Sequence, residues 1–125
     1  MFLWLDDEPS RDPGENWVIV RTADQAIDKL IAGGVEMVSL DHDLGDVRQD
    51  PYPREITGVA VVKWMIDNGV FPKVINVHSR NPVGGKRMVE DLNKFAPKEV
   101  VVKWWLFDIN VAKDLEEDFL ARGEP

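Results

Sequence analysis

Short apolar runs and segments of helical periodicity take turns along this chain. Continuous apolar, β-branched or aromatic stretches at 1–5, 17–21, 35–40, 73–77 and 100–107 read as strands buried on both faces. Between them the spacing turns helical. Thr22 is an N-cap for a helix to Ala32, with Ala23, Ala26, Ile27, Leu30 and Ile31 on one side and Gly33-Gly34 ending it. A second helix spans 58–68, with Val59, Val62, Trp64, Met65 and Ile66 as its apolar positions and Gly69 as its stop. A third opens at Pro82 or Val83 and runs to Phe95, turning Met88, Val89 and Leu92 inward. A fourth, 111–122, gathers Val111, Ala112, Leu115 and Phe119 on one face. Residues 9–16 and 45–57 read as loops, the second broken by Pro51 and Pro53. Both-face-buried strands separated by helices predict a parallel sheet in a three-layer α/β domain covering 1–125. One crossover is unusual: only a loop joins the first two strands, where a helix is the norm.

Three of the strands end in ionisable residues. The first runs into Asp6-Asp7-Glu8, the third into Asp41-His42-Asp43-Leu44-Gly45, and the fourth into His78-Ser79-Arg80-Asn81-Pro82. Open parallel sheets bind ligands outside the carboxyl ends of their strands. His42 and His78, the two histidines of the chain, both fall there.

Composition narrows the classes. There is no cysteine, so disulfides and thiolate metal sites are excluded. No stretch approaches the ~20 apolar residues of a membrane span. The amino terminus turns acidic at once and lacks the basic start of a signal peptide, so a cytoplasmic protein is expected. The net charge of −8 argues against a general nucleic-acid coat, which draws affinity from many Lys and Arg contacts to phosphate. A local phosphate site remains open, because Arg80, Lys86 and Arg87 crowd around Asn81 to Gly85.

The chemistry of these groups fits an ester of phosphoric acid. Imidazole is the side chain suited to proton transfer near neutral pH. Two histidines facing one phosphate could supply both a base and an acid. Arg80 and the amides opening the 82–95 helix are candidates for the phosphate oxygens. Each feature also has a plain structural reading. A strand-end histidine serves a loop carbonyl, Asp41-His42-Asp43 is a turn, and Asn81-Pro82 is a helix start. Gly84-Gly85 matches no standard phosphate loop. Of the five tryptophans, Trp64 fits a helix inner face, Trp104 and Trp105 a buried strand, and Trp17 is expected to be partly exposed. Residues 114–118 read as a solvated helix face.

The order of elements, the acidic pair after the first strand and the aspartate after the third resemble a response-regulator receiver domain. That resemblance implies Mg²⁺ held by Asp6 and Asp7, phosphoryl acceptance by Asp41, Ser79 in the Ser/Thr position, and Lys103 nearest to the receiver lysine. Lys103 lies inside its strand rather than after it. Further motifs resemble a divergent group, the cyclic-phosphate-processing receiver-like domains of phage and bacterial proteins. They are Leu5-Asp6-Asp7-Glu8-Pro9-x-Arg11, Ser39 to Gly45, Thr57-Gly58, and His78-Ser79-x-Asn81-Pro82-x-Gly84 with Met88. The likeness extends to about Phe95. It implies a flavodoxin-like five-stranded sheet in the order 2-1-3-4-5. It also implies phosphoesterase action on cyclic phosphate ends of RNA or nucleotides, as in RNA processing.

On that reading His42, His78, Asp41 and Asp43 are the catalytic candidates, and Arg80, Ser79, Asn81 and Gly84 the substrate-binding ones. Asp6, Asp7 and Asp41 are the candidate ligands for Mg²⁺ or Mn²⁺. Two other functions stay open: a non-catalytic receiver-like module with Asp41 as acceptor, and an acidic phage protein that binds and inhibits a host protein.

Overall fold

The computed structural model describes residues 1–106, 108 and 110–122. Strands β1 (Phe2–Leu5), β2 (Trp17–Val20) and β3 (Met37–Leu40) are all parallel, β1 lying between the other two. Helix α1 (Ala23–Ala32) connects β2 to β3. Thr22 caps it: its Oγ1 accepts from the Gln25 amide at 3.1 Å while Gln25 Oε1 accepts from the Thr22 amide at 3.3 Å. After β3 come two short strands, β4 (Asp46–Arg48) and β5 (Arg54–Ile56), which pair antiparallel as a separate hairpin. Helix α2 (Val59–Asn68) ends at Gly69 in the left-handed region, φ +65°. Strand β6 (Val74–Val77), helix α3 (Pro82–Phe95), strand β7 (Val101–Lys103) and helix α4 (Val111–Arg122) complete the chain.

The main sheet is five-stranded, parallel and ordered β2-β1-β3-β6-β7. The expected order 2-1-3-4-5 is corrected accordingly. It treated residues 45–57 as loop, whereas β4 and β5 arise there and stand outside the main sheet. The β1–β2 crossover contains no helix. Residues 6–16 close it through local bonds: the Arg11 amide to the Glu8 carbonyl at 3.1 Å, and the Trp17 amide to the Gly14 carbonyl at 3.3 Å.

Side-chain alternation along the strands splits the core in two. Leu3, Leu5, Val38, Leu40, Ile75 and Val77 face α1, α2 and α3, meeting Leu30, Val61, Met65, Met88 and Leu92. Trp4, Trp17, Met37 and Val74 face the other way, toward Val111, Ala112 and Leu115 of α4. Trp17, expected to be partly exposed, is therefore buried. It packs edge-on against Trp4 and donates its indole N–H to Glu116 Oε2 of α4 at 2.9 Å.

The last strand is shorter than expected. β7 stops at Lys103, and Trp104 and Trp105 are 36% and 37% exposed rather than buried in a strand. Asn76 of β6 diverts the chain, since its side chain accepts from the Trp105 amide at 2.9 Å and donates to the Trp105 carbonyl at 3.1 Å. The expected strand end at Phe107 lies outside the described residues. No helix among them is long and apolar enough to cross a membrane.

Candidate active site

Register alone sets the frame of the site. Leu5, Leu40 and Val77 are level across β1, β3 and β6, so the next residues, Asp6, Asp41 and His78, stand side by side at the sheet's carboxyl end. The ladder continues through them: the Asp41 amide donates to the Leu5 carbonyl at 3.0 Å and the His78 amide to the Leu40 carbonyl at 2.9 Å. Trp4 and Asp6, Ser39 and Asp41, and Asn76 and His78 are each two residues apart, hence on the same face.

A buried chain of hydrogen bonds runs along that face. Asn76 Nδ2 donates to Ser39 Oγ at 3.0 Å, and Ser39 Oγ lies 2.7 Å from His78 Nδ1. His78 Nε2 lies 3.0 Å from Asp6 Oδ2. Ser39, Asn76, His78 and Asp6 are all fully buried, and the His78 ring stacks on Trp4 with centroids 4.1 Å apart. Burial lowers the His78 pKa, against the upward pull of Asp6. Burial also works to raise Asp6, but the bond from His78 and the Glu8 amide outweigh it and hold that carboxyl below its usual range. The consistent assignment is a neutral His78 that donates from Nε2 to an ionised Asp6 and accepts from Ser39 at Nδ1.

Asp41 has the opposite fate. Its Oδ1 accepts from the His42 amide at 2.8 Å. Its Oδ2 and Asp6 Oδ2 each lie 3.3 Å from one nitrogen of Arg11, which reaches in from the β1–β2 loop. Asp41 is 3% exposed. Burial, followed by the negative charge of Asp6, pushes its pKa up to about 7, with Arg11 opposing.

His42 stands one residue further out. Its Nδ1 lies 2.7 Å from Asp43 Oδ1, and that bond holds the Asp43 pKa below its usual range. The same oxygen accepts from Asn81 Nδ2 at 3.2 Å. Asn81 is also the N-cap of α3, its Oδ1 accepting from the amides of Val83 and Gly84 at 3.1 and 2.9 Å. The His42 ring lies directly on Gly84, where any Cβ would overlap it. Gly58 plays a similar part at the start of α2, since a Cβ there would collide with the Asp41 carbonyl. Above these groups opens a cleft of about 500 Å³, lined by Asp7, Glu8, Arg11, Asp41, Asp43, Gly45, Arg80, Asn81 and Pro82. A larger groove of about 810 Å³ lies at the opposite end of the sheet and holds neither histidine.

The site residues expected from sequence divide into three layers. Asp7, Asp41, Asp43, Arg80 and Asn81 line the cleft, and His42 lies beside it on Gly84. Ser79 is buried, its Oγ accepting from the Asn81 amide at 3.0 Å, so it shapes the start of α3. His78 lies beneath the cleft with both ring nitrogens engaged inside the protein. His42 and His78 therefore do not converge on one exposed pocket. Lys103 is not at the site; its ammonium lies 3.2 Å from Asp118 of α4 and over the Trp105 ring. Arg11, Ser39, Asn76 and Trp4 carried no role in the sequence reading. Arg11 and Ser39 stood within the quoted motifs, and Ser39, Asn76 and Trp4 share the phase of Asp6, Asp41 and His78 along their strands.

One ligand atom each from Asp6, Asp41 and His78 falls within 4.8 Å of the others, a grouping with the spacing of a cation site. Asp7 is exposed and outside it. The Arg11 guanidinium lies between two members of this group, one nitrogen 3.3 Å from Oδ2 of both Asp6 and Asp41.

Comparison with solved structures places the chain beside a CheY-like response-regulator receiver domain from Methylobacillus flagellatus. The two share 14% identity and a TM-score of 0.54, over 94% of this chain and 95% of that one, which is a likeness of fold. Comparison with curated proteins gives no significant match. Residues 1–94 match the family described as the cyclic-phosphate processing receiver domain. That span takes in the acidic strand ends, both histidines, Arg11 and the start of α3. The chain thus belongs to the cyclic-phosphate processing receiver family.

Proposed function

We propose that the cleft binds and hydrolyses a cyclic phosphate ester, a 2′,3′-cyclic end of RNA or of a nucleotide, with His42 moving the proton. The observation that carries this reading is the His42–Asp43 pair. Taking Nδ1 as the donor to Asp43, 2.7 Å away, leaves Nε2, which rests against Gly84 beside the cleft, as the basic nitrogen of a ring oriented by a carboxylate that Asn81 also holds. Water attacks phosphorus and gives its proton to His42 Nε2. One ring P–O bond breaks, and the leaving oxygen takes a proton from the carboxyl of Asp41. Burial keeps that group protonated close to neutral pH. Arg80 at the cleft wall and Arg11 at its base supply positive charge for the phosphate oxygens. His78 does not touch the ester in this scheme. It positions Asp6, and through Asp6 the guanidinium of Arg11. No step is assigned to Mg²⁺ or Mn²⁺.

The test offers 2′,3′-cyclic nucleotides and RNA with a cyclic-phosphate end, with EDTA and with divalent metal. Wild-type protein is expected to open them in EDTA, and His42→Ala to lower turnover ~10²–10⁴-fold with the fold intact. A folded wild-type protein that neither binds nor opens any of them refutes the reading.

A further inference from the structure

We propose that Arg11 is the resident cation of this site: its guanidinium takes the position a divalent ion needs between Asp6 and Asp41, so the carboxylate pair accepts Mg²⁺ or Mn²⁺ only when Arg11 is removed. Three observations support it. First, one Arg11 nitrogen lies 3.3 Å from Oδ2 of both carboxylates, whose side chains are 0% and 4% exposed. Two buried acidic groups this close need an intervening cation or a proton between them, and Arg11 places a cation there from within the chain.

Second, the remaining oxygens are committed to protein donors. Asp6 Oδ1 accepts from the Glu8 amide at 2.9 Å, Asp6 Oδ2 faces His78 Nε2 at 3.0 Å, and Asp41 Oδ1 accepts from the His42 amide at 2.8 Å. Mg²⁺ demands near-octahedral oxygen ligation at ~2.0–2.1 Å and keeps several of its waters. Entering here, it must displace a guanidinium that is fixed against the same two oxygens, or accept a positive neighbour at ion-pair distance. Third, the other cation expected at this end of the sheet is committed elsewhere, Lys103 being paired with Asp118 at 3.2 Å. The helix-free β1–β2 crossover thereby acquires a purpose, since it is the segment that swings Arg11 over the ends of β1 and β3.

The experiment is a Mn²⁺ titration of ¹⁵N-labelled protein, read as paramagnetic broadening of the amides of Asp6, Asp41, His42 and His78 against those of Asp114 and Glu117 on α4. In wild-type protein the site amides are expected to broaden no more than the α4 controls. In Arg11→Ala, and in Arg11→Gln should the first variant fold poorly, they are expected to broaden selectively, at Mn²⁺ concentrations roughly tenfold or more below those affecting the controls. Restoring a positive charge with Arg11→Lys should reverse much of that gain. Selective broadening in the wild type as strong as in the variants overturns the proposal, as does a folded Arg11 variant that gains none. The readout is cation occupancy, so it stands apart from whether the cleft opens a cyclic ester.

Discussion

Asp41→Asn is expected to stabilise this domain at pH 8 and to lose that advantage as the pH falls. The carboxyl is 3% exposed, and burial together with Asp6 raises its pKa from 3.8 to about 7. A carboxyl raised in this way holds its proton more tightly in the folded chain. Its contribution is fully present below 3.8 and is lost as pH rises through about 7. The shift is roughly three pKa units, at about 1.4 kcal/mol each, so the ceiling on the cost to the native state at pH 8 is about 4 kcal/mol. The substituted amide carries no titrating proton and escapes that cost. It keeps an oxygen for the His42 amide, 2.8 Å away in the wild type, but turns an N–H₂ or a neutral oxygen toward Arg11 in place of a charge. Arg11's attraction for the ionised form is already contained in the raised pKa, so what remains is the exchange of a neutral carboxyl for an amide, one hydrogen bond or about 0.5–1.5 kcal/mol.

The net gain expected at pH 8 is therefore up to about 3 kcal/mol, or roughly ten degrees in Tm for a domain of this size. Urea unfolding of both proteins at half-unit steps from pH 4 to pH 8 reads it. The offset depends on how the amide meets Arg11, but the slope does not. The variant's advantage should shrink by up to about 1.4 kcal/mol per pH unit between about 7 and 4 and be flat above. Asp6 does not disturb that window, because its lowered pKa places its titration below it. A difference that is constant from pH 4 to 8, or that grows toward acid, refutes the account of Asp41 as a buried, proton-holding carboxyl.

Two further outcomes follow from the contacts around it. His78→Ala removes a fully buried ring stacked on Trp4 and leaves Ser39 and Asp6 without their partner; it should cost about 2–4 kcal/mol in urea unfolding, and a change under about 1 kcal/mol would contradict the buried chain. Gly84→Ala places a methyl where the His42 ring lies, so the His42 and Asp43 resonances should shift and turnover should fall by about tenfold or more while the fold persists; unchanged resonances would contradict the seating of His42 on α3.

The main elements were legible because their signals are local and strong. Four-residue apolar runs ending in Asp6, Asp41 and His78 marked the central strands, and Thr22, Gly69 and Asn81 marked helix ends by chemistry that needs no partner. The hairpin of β4 and β5 was not legible. Its strands are three residues each, mostly charged, and held by pairing across a proline-bearing turn with Arg48 bound to Asp46 and Asp24. The end of β7 was overread because Trp104-Trp105-Leu106 prolongs the apolar run, while a side chain distant in sequence, Asn76, takes the backbone out of the sheet. His78 and His42 looked equivalent as strand-end histidines. They differ through phase: His78 shares its face with Trp4, Ser39 and Asn76, where α4 packs on Trp4 and Trp105 bonds to Asn76. That phase was present in the sequence as two polar residues, Ser39 and Asn76, among apolar neighbours, but which face would be covered is a property of the tertiary fold.

The same phase argument weighs the two chemistries that this end of the sheet can host. Accepting a phosphoryl group at Asp41 calls for an ionised, approachable carboxylate and for cations to offset the incoming charge. Here Asp41 is nearly enclosed, its proton is favoured up to about pH 7, and its oxygens are held by Arg11 and the His42 amide. Ser79 is turned to the Asn81 amide and Lys103 to Asp118. Opening a cyclic ester asks for different things. It needs one group that takes a proton, one that gives it, and fixed positive charge between them. In the proposed reaction, His42 held by Asp43 beside the cleft, a carboxyl that keeps its proton near neutrality, and the two arginines lining the cleft fill those roles. The burial beside Asp6 that disfavours an ionised Asp41, and so weakens phosphoacceptor chemistry there, is the same feature on which the proposed ester opening relies for its acid.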